Sequence, residues 1–158
     1  MTRSTQLDVA ALSSTLRLQH DVIALRQATA CGMTRDALTH RLRPGGPWQQ
    51  LLPRTYLAVT GTPAVDQKEM AALLYAGPRS VRTGRVALRG QGMANVAPSV
   101  IDVLVPASCQ RMSAAFAAIH RTTQIRSEPA SVVAAIAGAV KAGSARPALP
   151  VAVRRASA

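Results

Sequence analysis

A proline–glycine–glycine–proline run at 44–47 constrains the fold of this 158-residue chain more than any other feature. Proline removes a backbone donor and clashes with a preceding helical turn, and paired glycines leave the helical region easily. A helix that reaches this run must therefore end there. Residues 34–43 have helical spacing, whereas 48–52 and 56–59 are rich in strand-forming residues. The sequence thus predicts a helix followed by a short hairpin.

The segment before this break is predicted to contain three helices. Residues 7–18 place leucines near one side at helical spacing, and 24–30 fit a second, shorter helix that ends at a glycine. Thr34 can cap the third helix, and Asp36 lies in its first turn, where the positive helix end favours an acid. Helix, helix, turn, helix and hairpin is the order of a winged helix-turn-helix, and we predict such a DNA-binding domain over residues 1–60.

The third predicted helix has two chemically different faces. Leu38 and Leu42 fall on one side and are expected to pack against the first two helices. The opposite side offers polar and basic side chains that suit a DNA major groove, although an ordinary solvated helix face has the same composition. The candidate DNA-binding residues of this helix are Thr34, Arg35, Thr39, His40, Arg41 and Arg43.

Their positions along the helix separate their predicted roles. In this motif the first turn of the recognition helix points at the bases, so Thr34, Arg35 and Thr39 are expected to read base edges. Arg41 and Arg43 come later in the helix and are expected to contact phosphates, which position a protein on the duplex without specifying sequence.

The hairpin supplies the predicted wing. Arg54 lies in its turn and is expected to reach a minor groove or a phosphate, the alternative being an exposed arginine without a role. The turn Pro53-Arg54-Thr55 contains no glycine, so a turn type that needs positive φ would be strained. Trp48 and Tyr56 are expected to pack the hairpin against the helices rather than to stack on bases.

The charge of the chain favours a polyanionic partner, and double-stranded DNA is the predicted one. Nineteen Lys and Arg stand against seven Asp and Glu, a net charge of +12 at pH 7. Seventeen of the basic residues are arginine, so a bias toward GC-rich codons would produce the same excess. Net charge indicates non-specific binding and says nothing of the fold.

After a turn-rich linker, residues 66–125 are predicted to form a small α+β unit. Helices are predicted over 66–76 and 81–91, and an apolar strand over 101–106 is expected to pair with a strand over 117–122. The predicted fold class of the chain is therefore α+β, with the winged helix-turn-helix at its amino-terminal end.

Residues 128–158 are rich in Ala, Val, Pro and Arg and show little periodicity. One helix over 130–141 fits the pattern. The rest is predicted to be a disordered, low-complexity basic tail, because its apolar area is too small to offset the entropy of ordering. No signal peptide and no apolar run of about 20 residues is evident, so a cytoplasmic protein without membrane contact is expected.

Catalysis is not expected. A restriction-type nuclease needs paired acidic metal ligands and a nearby lysine, and no such spacing surrounds Asp102 on its predicted strand. Cys109 and His120 would suit nucleophilic chemistry, but the sequence places no third group to orient them. The two cysteines and three histidines have no metal-ligand spacing, so no metal or other cofactor is predicted.

The run from Gly32 to Tyr56, followed by 72–88, 101–106 and 119–122, resembles the AbiEi-type antitoxins and transcriptional regulators. Their amino-terminal winged helix also precedes Vsr-like endonuclease domains in actinobacterial proteins. The resemblance implies a repressor that binds its own promoter and forms the antitoxin half of a type IV toxin–antitoxin pair, with a cognate toxin as second partner.

Two other functions stay open on the sequence. Residues 66–125 would act as a protein-interaction module that neutralises a toxin, with DNA binding secondary. Alternatively, the chain would be a truncated remnant of a winged-helix protein with a Vsr-like endonuclease domain. Helix-turn-helix proteins commonly bind as homodimers on two half-sites, but the sequence shows no coiled coil or obvious dimer face.

Overall fold

The computed structural model describes residues 6–84, 87 and 100–122, which contain four helices and two three-stranded sheets. This part of the chain is of mixed α+β class, as the sequence predicts. The helices are α1 (Val9–Leu18), α2 (Leu25–Ala30), α3 (Arg35–Leu42) and α4 (Val65–Ala76). The strands are β1 (Val22–Ala24), β2 (Gln49–Leu52), β3 (Thr55–Leu57), β4 (Val81–Arg82), β5 (Ile101–Val105) and β6 (Ala117–Arg121). The predictions for 128–158, including the helix over 130–141, lie outside the described residues.

Helix α1 begins at a capping aspartate and ends in a strained turn. The Asp8 carboxylate accepts a hydrogen bond from the Ala11 amide at 2.9 Å, which satisfies one free donor of the first turn. The helix buries Leu12 in the cluster beneath α2 and α3. His20 and Asp21 then both adopt positive φ, 52° and 65°, a conformation that costs an L-residue roughly 1–2 kcal/mol. This turn leads the chain directly into β1.

The turn between α2 and α3 spans residues 31–34 and depends on one glycine. Gly32 has a φ of 83°, and a Cβ on it would lie 2.6 Å from the carbonyl oxygen of Gln6, so neither the conformation nor the space admits a side chain. At the end of the turn the Thr34 hydroxyl oxygen accepts a hydrogen bond from the Ala37 amide at 3.2 Å. The predicted cap of α3 is therefore confirmed.

The proline–glycine–glycine–proline run ends α3 as predicted. The Gly46 amide donates to the Arg43 carbonyl at 2.7 Å, and a Cβ on Gly46 would overlap the carbonyl oxygen of Arg41. The Trp48 amide donates to that same Arg41 carbonyl at 3.1 Å. These two backbone contacts turn the chain out of the helix and into β2.

The first sheet has the strand order β1–β3–β2, and both pairs are antiparallel. A bulge bends β2 within the hairpin. Every residue of β1 and β3 is buried, because the two faces of these strands meet different hydrophobic clusters. Val22 and Leu57 belong to a cluster with α4, whereas Ile23 and Tyr56 belong to the cluster beneath α1, α2 and α3.

Helix α4 packs against both sheets and forms one hydrophobic cluster with them. The second sheet has the order β4–β5–β6, in which β4 runs antiparallel and β6 parallel to β5. Its buried residues in the cluster are Ile101, Val103, Val105, Ala117 and Ile119. On α4 the buried Glu69 carboxylate accepts a hydrogen bond from the Arg82 guanidinium at 2.7 Å, which fastens β4 to the helix.

Two elements differ from the sequence predictions. Val81 and Arg82 form β4 instead of starting the predicted helix over 81–91, because the free edge of β5 supplies the backbone partners. Gly84 and Ala87 within that range are helical, and residues 85, 86 and 88–91 are outside the described residues. The sequence does not predict β1, because three consecutive buried residues show no alternation of period two. In the described part of the chain, no helix has the length and apolar character needed to cross a bilayer.

Candidate nucleic-acid interface

Helix α3 packs by one side and presents the other to solvent. Leu38 is buried and Leu42 packs against the same cluster, which confirms the predicted inner face. The first two helices contribute Leu12 and Ala28 to that cluster. We call the exposed side the outer face of α3; it consists of Arg35, Asp36, Thr39, His40 and Arg43.

The amino-terminal end of this face is organised by the helix cap. Thr34 is exposed, and its hydroxyl oxygen accepts a hydrogen bond from the Ala37 amide, so its O–H group remains available as a donor. Arg35 and Asp36 follow in the first turn and are both exposed. Asp36 interacts favourably with the positive end of the helix, and it offsets the charge of its neighbour.

Arg41 lies on a different side of α3 from the other predicted contacts. It is half-buried, and its guanidinium carbon lies 5.6 Å from the centroid of the Trp48 ring. Its Nη1 donates to the Ala37 carbonyl at 3.5 Å. Arg41 therefore links α3 to the start of β2, whereas Arg43 at the end of the helix is exposed. The phosphate contact predicted for Arg41 would use the N–H donors that the bond to the Ala37 carbonyl leaves free.

Arg54 lies in the hairpin turn, and β2 separates it along the chain from α3. Its φ is 60°, so the turn does use the positive-φ geometry for which the sequence provides no glycine. The Arg54 carbonyl accepts a hydrogen bond from the Leu25 amide at 2.8 Å, which ties the turn to the start of α2. The side chain is exposed.

Two aromatic residues of the hairpin are packing residues, as predicted. Trp48 and Tyr56 are 8% and 7% exposed and belong to the cluster beneath α1, α2 and α3. Their burial leaves neither ring free to stack on a base. They instead hold the hairpin at a fixed position relative to α3.

The second sheet contains a polar pair that the sequence does not indicate. The Nε2 of His120 lies 2.9 Å from the Oδ1 of Asp102, because parallel pairing of β6 with β5 brings the two onto one face of the sheet. Cys109, the partner considered for His120 from sequence, instead contacts the Ala76 carbonyl at 3.7 Å. Within the described residues, no group of three or more His, Cys, Asp or Glu side chains could hold a metal ion.

The sequence also gives no sign of a groove that gathers three arginines from three elements. Arg26 of α2, Arg54 of the hairpin turn and Arg111 of the loop over 106–116 all line one cavity, which we call the arginine groove. Only the folded backbone brings them together, since they are distant in sequence and belong to no common motif.

The exposed surface of this part of the chain thus offers two basic features, the outer face of α3 and the arginine groove. The second sheet carries a histidine–aspartate pair, and neither of its residues belongs to these two features. Neither a scan against protein-family models nor a search of curated proteins finds a match for this chain.

Proposed function

We propose that the amino-terminal part of this chain is a winged helix-turn-helix that binds duplex DNA sequence-specifically and acts as a transcriptional repressor. The outer face of α3 is the observation that carries this proposal. The helix follows a glycine-dependent turn after α2, packs by its leucines and leaves two arginines, a threonine and a histidine exposed. The order α1–β1–α2–α3–β2–β3 and the antiparallel sheet that its three strands form support the same interpretation.

In the proposed complex, α3 enters the major groove with its first turn toward the bases. Arg35 donates to the acceptors of a guanine edge, and Thr39 contacts a thymine methyl group or a phosphate. His40 and Arg43 lie farther along the outer face, where backbone phosphates pass. Arg54 in the hairpin turn contacts a minor groove or a phosphate beside the helix.

Asp36 gives the proposal a specific chemical consequence. A carboxylate on the outer face of α3 would repel phosphate, but it can accept a hydrogen bond from the exocyclic amino group of cytosine. A guanine contact by Arg35 and a cytosine contact by Asp36 together favour a half-site rich in G·C pairs. Asp36→Ala is accordingly expected to relax the preference at one base pair without weakening non-specific binding.

A binding assay with two arginine variants tests the proposal. The wild-type chain is titrated against a duplex from its own upstream region and against a scrambled duplex, at several salt concentrations. Arg35→Ala is expected to weaken binding to the preferred duplex by about 10- to 100-fold and to leave scrambled-duplex binding almost unchanged. Arg43→Ala is expected to weaken both duplexes alike and to lower the salt slope by about 1.

Arg17→Ala is the matched control, because Arg17 is an exposed arginine in the last turn of α1, outside the outer face of α3. Equal binding of wild-type protein to every duplex would refute sequence specificity. Absence of binding at low salt would refute the DNA-binding function altogether. An effect of Arg17→Ala as large as that of Arg43→Ala would show that general charge, and not α3, carries the affinity.

The biological role that we propose is autoregulation by an antitoxin of the AbiEi type. Its support is the resemblance of 32–56 and the later segments to that family, together with the exposed outer face of α3. A neighbouring gene for a nucleotidyltransferase-type toxin and co-purification of the two proteins are the expected observations. Purification of this chain alone from cells that express both genes would count against the antitoxin role.

A further inference from the structure

The arginine groove contains no residue of the outer face of α3. It is a cavity of about 830 Å³ bounded by the start of α2, the hairpin turn, the end of α4 and the loop over 106–116. Leu25, Leu74 and Ala76 supply apolar lining, while Arg26, Arg54 and Arg111 supply the charge. No acidic side chain occurs among the described residues that line it.

The loop that carries Arg111 is held in place by three side-chain contacts. The Arg121 side chain donates from Nε to the Cys109 carbonyl at 2.9 Å and from Nη2 to the Arg111 carbonyl at 3.4 Å. The Tyr75 hydroxyl donates to the Met112 carbonyl at 2.8 Å. The Arg111 guanidinium in turn lies 5.5 Å from the centroid of the Tyr75 ring, which orients it and leaves its N–H donors available.

The other two arginines are held by the backbone bond between the hairpin turn and α2. The Leu25 amide donates to the Arg54 carbonyl at 2.8 Å, and Arg26 follows Leu25 in α2. Arg54 and Arg26 therefore lie on adjacent elements of the cavity wall. Both side chains are exposed. No carboxylate of the described residues is paired with Arg26, Arg54 or Arg111 in an ion pair.

Guanidinium groups without carboxylate partners in a concave site are suited to phosphate, which they bind through paired N–H donors. The cavity volume falls within the range of small-ligand sites, and its apolar lining would accommodate an organic group attached to the phosphate. We propose that the arginine groove is a phosphate-binding site, filled either by a free phosphate compound of nucleotide size or by backbone phosphates of a bound duplex. Binding of a free phosphate compound does not depend on the contacts proposed for α3, whereas the duplex as the source of phosphate rests on the proposed DNA-binding function and shares Arg54 with it.

Titration of the full chain with inorganic pyrophosphate and with ATP, followed by calorimetry at low salt, tests the first source. The groove variant is Arg26→Gln/Arg111→Gln, and the control is Arg17→Gln/Lys68→Gln, which removes the same charge from residues that do not line the cavity. We expect the groove variant to lose at least about tenfold in affinity and the control to remain within about twofold of wild type. Arg26→Gln alone repeats the test if the double variant fails to fold.

The second source is tested with a duplex of about 30 base pairs over a range of salt concentrations. If the groove holds backbone phosphates, the groove variant lowers the salt slope by about 2, one for each arginine, and the control does not. Either result supports the site and identifies its ligand. A groove variant that matches the control with both probes would overturn the proposal.

Failure of the groove and failure of the proposed function are distinguishable. Arg35→Ala is expected to change duplex preference while leaving pyrophosphate and ATP affinity unchanged. If the wild-type chain binds no duplex, the proposed DNA-binding function is refuted. The pyrophosphate and ATP titrations then still show whether the groove binds phosphate.

Discussion

Replacing Arg54 with glycine is expected to raise the stability of the protein while weakening its proposed binding to DNA. Arg54 has a φ of 60°, a conformation that costs an L-residue roughly 1–2 kcal/mol and glycine almost nothing. The greater chain entropy of glycine in the unfolded state offsets part of this gain, by about 0.4–1 kcal/mol. The free energy of unfolding should therefore rise by about 0.5–1 kcal/mol. The bond from the Leu25 amide to the Arg54 carbonyl is a backbone bond and survives the change.

Arg54→Ala separates strain from charge, because alanine loses the guanidinium but keeps the unfavourable φ. In urea denaturation the free energy of unfolding should be higher for the glycine variant than for wild type, and the alanine variant should have nearly the wild-type value. The glycine variant should melt about 1–4 °C higher than wild type. Both variants should bind duplex DNA with a salt slope lower by about 1. A glycine variant no more stable than the alanine variant would show that the backbone of Arg54 is not strained. Unchanged salt slopes in both variants would show that Arg54 does not contact DNA.

Two further substitutions test how α3 begins and ends. Gly46→Ala should lower the free energy of unfolding by about 1–3 kcal/mol, because its Cβ overlaps the Arg41 carbonyl; a melting temperature equal to that of wild type would contradict the close approach. Thr34→Ala should lower it by about 1 kcal/mol in urea denaturation, whereas Thr34→Ser should stay near wild type since serine preserves the cap. Equal losses in both Thr34 variants would show that the methyl group, and not the capping oxygen, matters.

The parts of the fold that the sequence predicts are those with local causes. Helix α3 is predictable because its cap, its leucine spacing and the run that ends it all lie within 34–47, and each acts through neighbouring residues. Helix α4 and strand β5 are similarly predictable from apolar periodicity within 65–76 and 101–105. Their boundaries differ from the predictions by one residue.

The parts that the sequence does not predict depend on partners far along the chain. Strand β1 exists because β3 pairs with it, and β4 exists because it joins the edge of β5, so neither is visible in its own short segment. The register of β5 against β6 likewise creates the contact between Asp102 and His120. A lone histidine in a strand gives no indication of a carboxylate eighteen positions away.

The candidate site also has a part that local sequence predicts and a part that it does not. The exposure of Arg35, Thr39 and His40 follows from the position of Leu38 on the inner side of the helix, so periodicity alone predicts it. The contact of Arg41 with the Trp48 ring requires the chain to fold back after the helix, which helical spacing does not encode. The arginine groove forms only where three separate elements meet, so no sequence motif contains its arginines together.

Chemical-shift mapping of the ¹⁵N-labelled chain with duplex DNA from its upstream region tests the central claim most directly. We expect the largest changes in amide shifts, at low salt, to fall on Arg35, Asp36, Thr39 and His40. The same signals should change less with a scrambled duplex, and those of Asp102 and His120 on the second sheet should stay unchanged with both. Perturbations confined to the second sheet, or none on α3, would contradict the account.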